Sequence, residues 1–218
     1  IMKIAVVTGA SSGIGREFAR QISQRYGKMD ELWIIARRKE RLSELEKELR
    51  LDVRIFAMDL TNPEDMKQFK EHLEEVKPDI KLLVNCAGYG KVGSFEELDL
   101  EEQCGIIDIN CKALTMFTGV CLPYISTHSR IINVASAAAF CPQPRFNVYA
   151  ASKSYVLSFS RALNCELKDR KITVTAVCPG PVDTEFFERA EKGADTLFIK
   201  KLVMARPEKV VAKALKDS

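Results

Sequence analysis

Three glycines within seven residues, Gly9, Gly13 and Gly15, constrain this chain more than any other feature. They follow an apolar run, Ile4-Ala5-Val6-Val7, and lead into a pattern in which Ile14, Phe18, Ala19, Ile22 and Tyr26 recur at helical spacing. Thr8 to Gly15 therefore reads as a tight turn between a buried strand and a helix. Glycine tolerates positive φ there and lets a ligand approach the backbone. Free N–H groups at the helix start, helped by the helix dipole, then face an anion. Gly9, Ser11, Ser12, Gly13, Ile14 and Gly15 become candidate contacts to a dinucleotide pyrophosphate. The spacing G-x-x-x-G-x-G departs from the usual G-x-G-x-x-G. A plain strand-to-helix turn would use the same glycines, so the remainder of the chain must decide.

That remainder alternates. Glu31–Ala36, Val53–Ala57, Lys81–Val84, Arg130–Val134 and Ile172–Val177 read as further short apolar strands. Between them lie helical patterns over 39–49, 63–76, 100–124 and 146–167, with Asn62-Pro63 a good cap and first turn. Strand-helix alternation predicts an α/β fold, a doubly wound parallel sheet in three α/β/α layers, in strand order 3-2-1-4-5-6. The length of 218 residues suits one domain spanning 1–218.

Composition narrows the function classes. The net charge is +3 and the basic residues are scattered, which makes no electrostatic case for nucleic acid. No uninterrupted apolar run approaches the roughly 20 residues of a membrane span, and no secretory signal precedes the first strand, so no membrane association and a cytoplasmic location are expected. Ile1 ahead of Met2 reads as an added residue. The seven cysteines lack C-x-x-C spacing and read as reduced, mostly buried thiols. His72 and His128 have no partner set, which disfavours a histidine triad or a zinc site, so no metal is expected.

Each strand end is then a candidate site. The second strand ends in Ala36-Arg37-Arg38, with no acid to accept from a ribose 2′-hydroxyl. An arginine there suits a 2′-phosphate, although Lys39 and Arg41 also make it an ordinary charged helix start. Asp59-Leu60 follows the third strand, either flanking an adenine or entering the next helix. Asn85-Cys86-Ala87-Gly88 ends the fourth, where small residues let a flat cofactor pass. Ser136 follows the fifth. Thirteen residues later comes Tyr149-Ala150-Ala151-Ser152-Lys153. Positions i and i+4 share a helix face. A nearby ammonium favours the phenolate of a tyrosine, bringing Tyr149 toward acid/base strength near neutrality. Ser136 is placed to donate to the same substrate oxygen. A surface Tyr-Lys pair is the bland alternative.

The combination Thr8-Gly9-x-x-x-Gly13-Ile14-Gly15, Asn85-Cys86-Ala87-Gly88, Ser136 and Tyr149-x-x-x-Lys153, in this order, resembles the short-chain dehydrogenase/reductase family from Lys3 to about Thr184. The resemblance implies a Rossmann fold, a nicotinamide cofactor, and hydride exchange with a carbonyl or secondary alcohol. By position it implies that Tyr149 is the catalytic acid/base, that Lys153 lowers its pKa and binds the nicotinamide ribose, and that Ser136 holds the substrate oxygen. It implies that Asn110 supports a water-linked proton relay, and that Pro179, Gly180, Val182 and Thr184 hold the nicotinamide end. With Arg37 and Arg38, NADP(H) is the expected cofactor, NAD(H) a possible one. Cys86 departs from the family's usual asparagine at that position. Relatives also continue past the equivalent of Ser218, which puts a seventh strand in question.

The resulting expectation is an NADP(H)-dependent carbonyl reductase or alcohol dehydrogenase working on a small-molecule substrate. The rival is a cofactor-binding sensor or scaffold without turnover. An epimerase or dehydratase of the longer relatives lacks room for its extra substrate domain. Residues 184–205 are expected to cover the substrate, with Phe186, Phe187, Leu197 and Phe198 as its apolar face and Gly193-Ala194 as a break. A homodimer or homotetramer is expected through Phe117, Val120, Tyr155, Val156 and Phe159 on the two long helices.

Overall fold

The structure, a computed structural model, describes residues 1–190 and 204–218, with only the backbone of 187–189. Its centre is a six-stranded parallel sheet in the order β3-β2-β1-β4-β5-β6, as the alternation of elements predicts. The strands are β1 (Lys3–Thr8), β2 (Glu31–Ala36), β3 (Asp52–Ala57), β4 (Asp79–Asn85), β5 (Arg130–Val134) and β6 (Thr173–Val177). The strand order reverses between β1 and β4, so their carboxyl ends open a crevice there.

Alternation along each strand sorts the core into two layers. Ile4 and Val6 of β1 and Trp33 and Ile35 of β2 face one side. There they meet Phe69 and Leu73 of α3 (Pro63–Val76), Phe117 and Cys121 of α5 (Leu114–Cys121), and Leu163 of α6 (Asn147–Glu166). Ala5, Val7, Leu32 and Ile34 face the other side. There they meet Phe18 and Ile22 of α1 (Gly13–Arg25), Leu42 and Leu45 of α2 (Lys39–Glu46), and Val211 and Leu215 of the last helix, α8 (Pro207–Asp217). Both faces of the sheet are covered, which is why the central strands β1, β2 and β4 carry long buried apolar runs, while the edge strand β3 is half-exposed. The expected cap of α3 forms: the Asn62 side chain accepts from the N–H groups of Glu64 and Asp65, and Pro63 takes the first turn.

The helix expected over 100–124 is composite. It runs as α4 (Leu100–Ile107), a π-helical stretch (Asp108–Ala113), α5 and a short 3₁₀ turn (Leu122–Tyr124). A π bulge inserts a residue into the α register and is frequent at functional sites; this one contains Asn110. The whole stretch is long and apolar enough to cross a membrane by length and composition, a match that scanning for uninterrupted apolar runs missed. Much of its hydropathy belongs to the side packed on the sheet, where Phe117 and Cys121 are fully buried.

Two expectations are corrected by burial. Phe117 and Val156 are fully enclosed, so neither lies on the surface proposed for association; Tyr155 does, stacked on Phe159, with Met116 also exposed. The thiols are not uniformly interior either. Cys111 and Cys121 are buried, but Cys104, Cys141 and Cys165 are exposed on helix and loop surfaces.

Candidate active site

A cavity of about 1020 Å³ opens along the carboxyl ends of the strands. That is the upper end of the roughly 300–1,000 Å³ typical of small-molecule and cofactor sites. Gly9, Ser11, Ser12, Gly13, Ile14 and Gly15 line its middle, and Arg37, Arg38, Asp59 and Leu60 one end. Ser136, Tyr149 and Lys153 line the other, with Ala87, Gly88, Pro179, Gly180, Val182 and Thr184 between.

The middle is made by close backbone approach. Gly9 has φ +69°, and a Cβ there would sit 2.8 Å from the backbone nitrogen of Ala87. Only glycine fits that turn. Thr8 ties it down: its buried hydroxyl accepts from the N–H groups of Cys86 and Ala87 at 3.0 and 3.1 Å and donates to the Val84 carbonyl. The first turn of α1 carries no acid of its own. Its N–H groups and dipole are thus left to an anion. A cradle that no side chain could share, at a helix start without a carboxylate, fits a pyrophosphate.

Two residues placed at the site by sequence do not line the cavity. Asn85 is the last residue of β4, and its side chain points into the layer between sheet and helices. There it donates to Thr118 Oγ1 and Asn133 Oδ1. Asn85 is still within the strand and packs inward, whereas Ala87 and Gly88, in the loop beyond the strand end, line the groove. Asn110 is likewise enclosed. Its Oδ1 accepts from Tyr89 N at 3.1 Å, and its Nδ2 donates to Tyr89 O at 3.0 Å and to Ser152 Oγ at 2.9 Å. Ser152 in turn donates to the Tyr149 carbonyl at 2.7 Å. The Asn110 amide is therefore a strut joining the loop after β4 to the first turns of α6. A Cβ on Gly88 would collide with it at 2.6 Å, so the loop passes as close as a glycine allows.

At the β5 end, Ser136 begins a 3₁₀ turn (Ala137–Phe140), its Oγ accepting from Ala138 N at 3.1 Å. Tyr149 and Lys153 lie one turn apart on α6, both buried. Lys153 Nζ donates to the Val134 carbonyl at 2.8 Å and sits 5.7 Å from the centre of the Tyr149 ring. Val134 is a site residue that sequence reasoning missed, because its contribution is a backbone oxygen. Burial pushes the Lys153 ammonium down to about 8. The groups acting on it are the thiols of Cys86, Cys111 and Cys178 rather than carboxylates. Burial also holds the Cys86 thiol up at about 12, so it supplies no counter-charge.

For Tyr149 the expected direction is reversed. Burial pushes its phenol up to about 12, and a hydrogen bond with Ser136 only partly offsets this. The ammonium is spent on the Val134 carbonyl, so the protein's own groups do not bring the phenol toward neutrality. Around the phenol, Phe146 stacks at 4.3 Å between ring centres and Phe186 lies at 5.3 Å. Phe186 of the expected covering segment thus reaches the site. Phe187, Gly193-Ala194, Leu197 and Phe198 of that expected segment lie outside the described side chains. The stems of that segment meet: Asp183 N donates to Ala205 O, and Ala205 N to Pro181 O.

At the β2 end the contacts are ionic and half-exposed. Arg37 Nη1 is 3.6 Å from Asp59 Oδ2, with most of its side chain in solvent. Arg38 Nη2 donates to Ser11 Oγ and Ser12 Oγ at 3.0 Å each. Asp59 does not cap α3; it accepts from Thr61. Burial opposes ionisation there, but the Thr61 bonds and the Arg37 charge hold its carboxyl below the usual range. Glu185, in α7 (Glu185–Ala190), pairs with Arg38 and Arg41. No local motif marked it.

The family model of the short chain dehydrogenases matches residues 3–195. Sulfoacetaldehyde reductase 2 of Chromohalobacter salexigens is 34% identical, covering 84% of this chain and 74% of that protein. A short-chain dehydrogenase from Sphingobium yanoikuyae, solved in complex with NADPH, superposes with a TM-score of 0.85 at 31% identity, covering 99% of this chain and 83% of that one. A 3-ketoacyl-(acyl-carrier-protein) reductase from Brucella melitensis, complexed with NADH, gives 0.83 at 25% identity, covering 98% and 89%.

Proposed function

The chain belongs to the short chain dehydrogenase family, oxidoreductases acting between alcohol and carbonyl with a nicotinamide cofactor, and on that premise we propose an NADP(H)-preferring carbonyl reductase or secondary-alcohol dehydrogenase. The carrying observation is the convergence of Ser136, Tyr149 and Lys153 at one end of a groove whose other end presents two arginines. A nicotinamide bound there supplies or takes up the hydride.

The chain's own residues do the rest. The glycine turn and the start of α1 hold the pyrophosphate, and Arg37 and Arg38 receive the 2′-phosphate. Ser136 donates to the substrate oxygen and fixes it against Tyr149. The Tyr149 hydroxyl gives its proton to that oxygen in reduction and takes it back in oxidation. The Lys153 ammonium, held on the Val134 carbonyl 5.7 Å from the centre of the Tyr149 ring, adds a positive charge near the phenolate as it forms in that exchange. The Asn110–Ser152 strut keeps the first turns of α6 in register with the loop after β4. Phe146 and Phe186 offer the substrate an apolar wall.

Turnover of a carbonyl panel with NADPH tests the reading. Consumption with a ketone, abolished in Tyr149→Phe, is expected; consumption untouched by that change would reject it. We also propose two-fold association through the exposed Tyr155 face. Light scattering at micromolar concentration is expected to give at least a dimer mass, and Tyr155→Glu a shift toward monomer.

A further inference from the structure

At the β2 end one side chain faces the arginines from the opposite wall. Glu185 comes from the first residue of α7, directly after Thr184, whose side chain packs over Gly13. One carboxylate oxygen pairs closely with Arg41 Nη1. The other is 3.5 Å from Arg38 Nη1. Arg38 meanwhile gives Nη2 to the hydroxyls of Ser11 and Ser12. Its guanidinium thus spans the glycine turn and α7. Burial opposes ionisation of Glu185, but hydrogen bonds and charge from Arg41 and Arg38 hold its carboxyl below the usual range. It is an anion at neutral pH.

The end of the second strand is where the adenosine ribose lies in this kind of sheet. Glu185 takes one nitrogen, Nη1, of each arginine, and a phosphate monoester binds guanidinium N–H groups as a carboxylate does. A 2′-phosphate that engages those same N–H groups has to displace the carboxylate. We infer that Glu185 is a specificity-determining residue for the cofactor: its carboxylate competes with a ribose 2′-phosphate for Arg38 and Arg41, and so moderates the preference for the phosphorylated cofactor. The inference rests on the reading that Arg38 binds the 2′-phosphate. Its sign is opposite to that of a helper ligand. Removing the carboxylate strengthens 2′-phosphate binding.

The size follows from exposure. About a third of each of the Arg38, Arg41 and Glu185 side chains is open to solvent. Such pairs are worth little each, so freeing them corresponds to about a three- to tenfold gain in affinity.

The test is calorimetric binding of adenosine 2′,5′-bisphosphate and of 5′-AMP, which differ only in the 2′-phosphate. Glu185→Gln is expected to tighten the bisphosphate about three- to tenfold and to leave 5′-AMP within about twofold. Glu185→Ala is expected to act in the same direction. An unchanged or weakened bisphosphate, or equal tightening of both nucleotides, overturns the inference. Arg38→Ala separates the two ways of failing. If Arg38→Ala weakens the bisphosphate while Glu185→Gln leaves it alone, only the competition is wrong. If the wild type binds both nucleotides alike and Arg38→Ala changes nothing, the 2′-phosphate reading falls and takes the inference with it.

Discussion

The two ends of the groove are held by different forces. At the β5 end, Tyr149, Lys153, Ser152 and Asn110 are buried and joined by short hydrogen bonds to each other or to backbone. At the β2 end, Arg37, Arg38, Asp59 and Glu185 meet through ion pairs that remain partly in solvent. Low dielectric makes each buried interaction strong and each misplacement costly. Water and salt make each exposed pair weak and replaceable. The first end thus holds its side chains in a fixed geometry, and the second is open to adjustment by single charges.

The comparison is most easily broken at the buried end. Tyr149→Phe keeps the ring and its contacts with Phe146 and Phe186 but removes the proton. A loss of about 10² to 10⁴ in kcat is expected, with nucleotide affinity little changed. Near-normal turnover would show that the buried end is structural.

At the exposed end, Arg38→Ala is expected to lower the NADPH-over-NADH preference in kcat/KM by about 10- to 100-fold, the worth of one charged hydrogen bond or two. Arg37→Ala is expected to cost less, since its side chain is mostly in solvent. Raising salt should shrink the wild-type preference while leaving the Tyr149→Phe ratio unmoved. Equal erosion of both would erase the distinction between the ends.

A smaller effect sharpens it. The folded state holds Lys153 at about 8, against 10.5 for the free side chain. Between those values the unfolded chain binds more protons, so this residue's contribution to stability rises with pH there. Below pH 8 its buried charge costs in full, up to about 3 kcal/mol. Lys153→Met removes the titrating group. The stability of the variant relative to wild type, from urea midpoints, should therefore be greatest below pH 8 and decline toward pH 10.5. A flat difference would mean the ammonium is not paying for its burial.

Much of the frame was legible before any coordinates. The apolar runs of β1, β2 and β5 and the Asn62-Pro63 start of α3 are local signals, and the structure keeps them. Glycines at the first turn and the four-residue step from Tyr149 to Lys153 also announce themselves. Asn85 misled because adjacency in a motif does not say which way a strand residue points. The hold on Lys153 was hidden because its partner, the Val134 carbonyl, leaves no mark in side-chain chemistry. Which of Arg37 and Arg38 reaches Ser11 and Ser12 was equally hidden, since only the fold shows it.

What the sequence determined by itself is whatever depends on periodicity and on residue type at short range. That covers the alternation of strands and helices, the glycine turn after β1, and the residue types at the strand ends. Tertiary structure decided the direction of the Tyr149 shift, the strut role of Asn110 and the position of Glu185 opposite Arg38. These depend on burial and on contacts between segments more than 40 or 140 residues apart. Desolvation acts on a group according to everything packed around it, and no short stretch of chain carries that information.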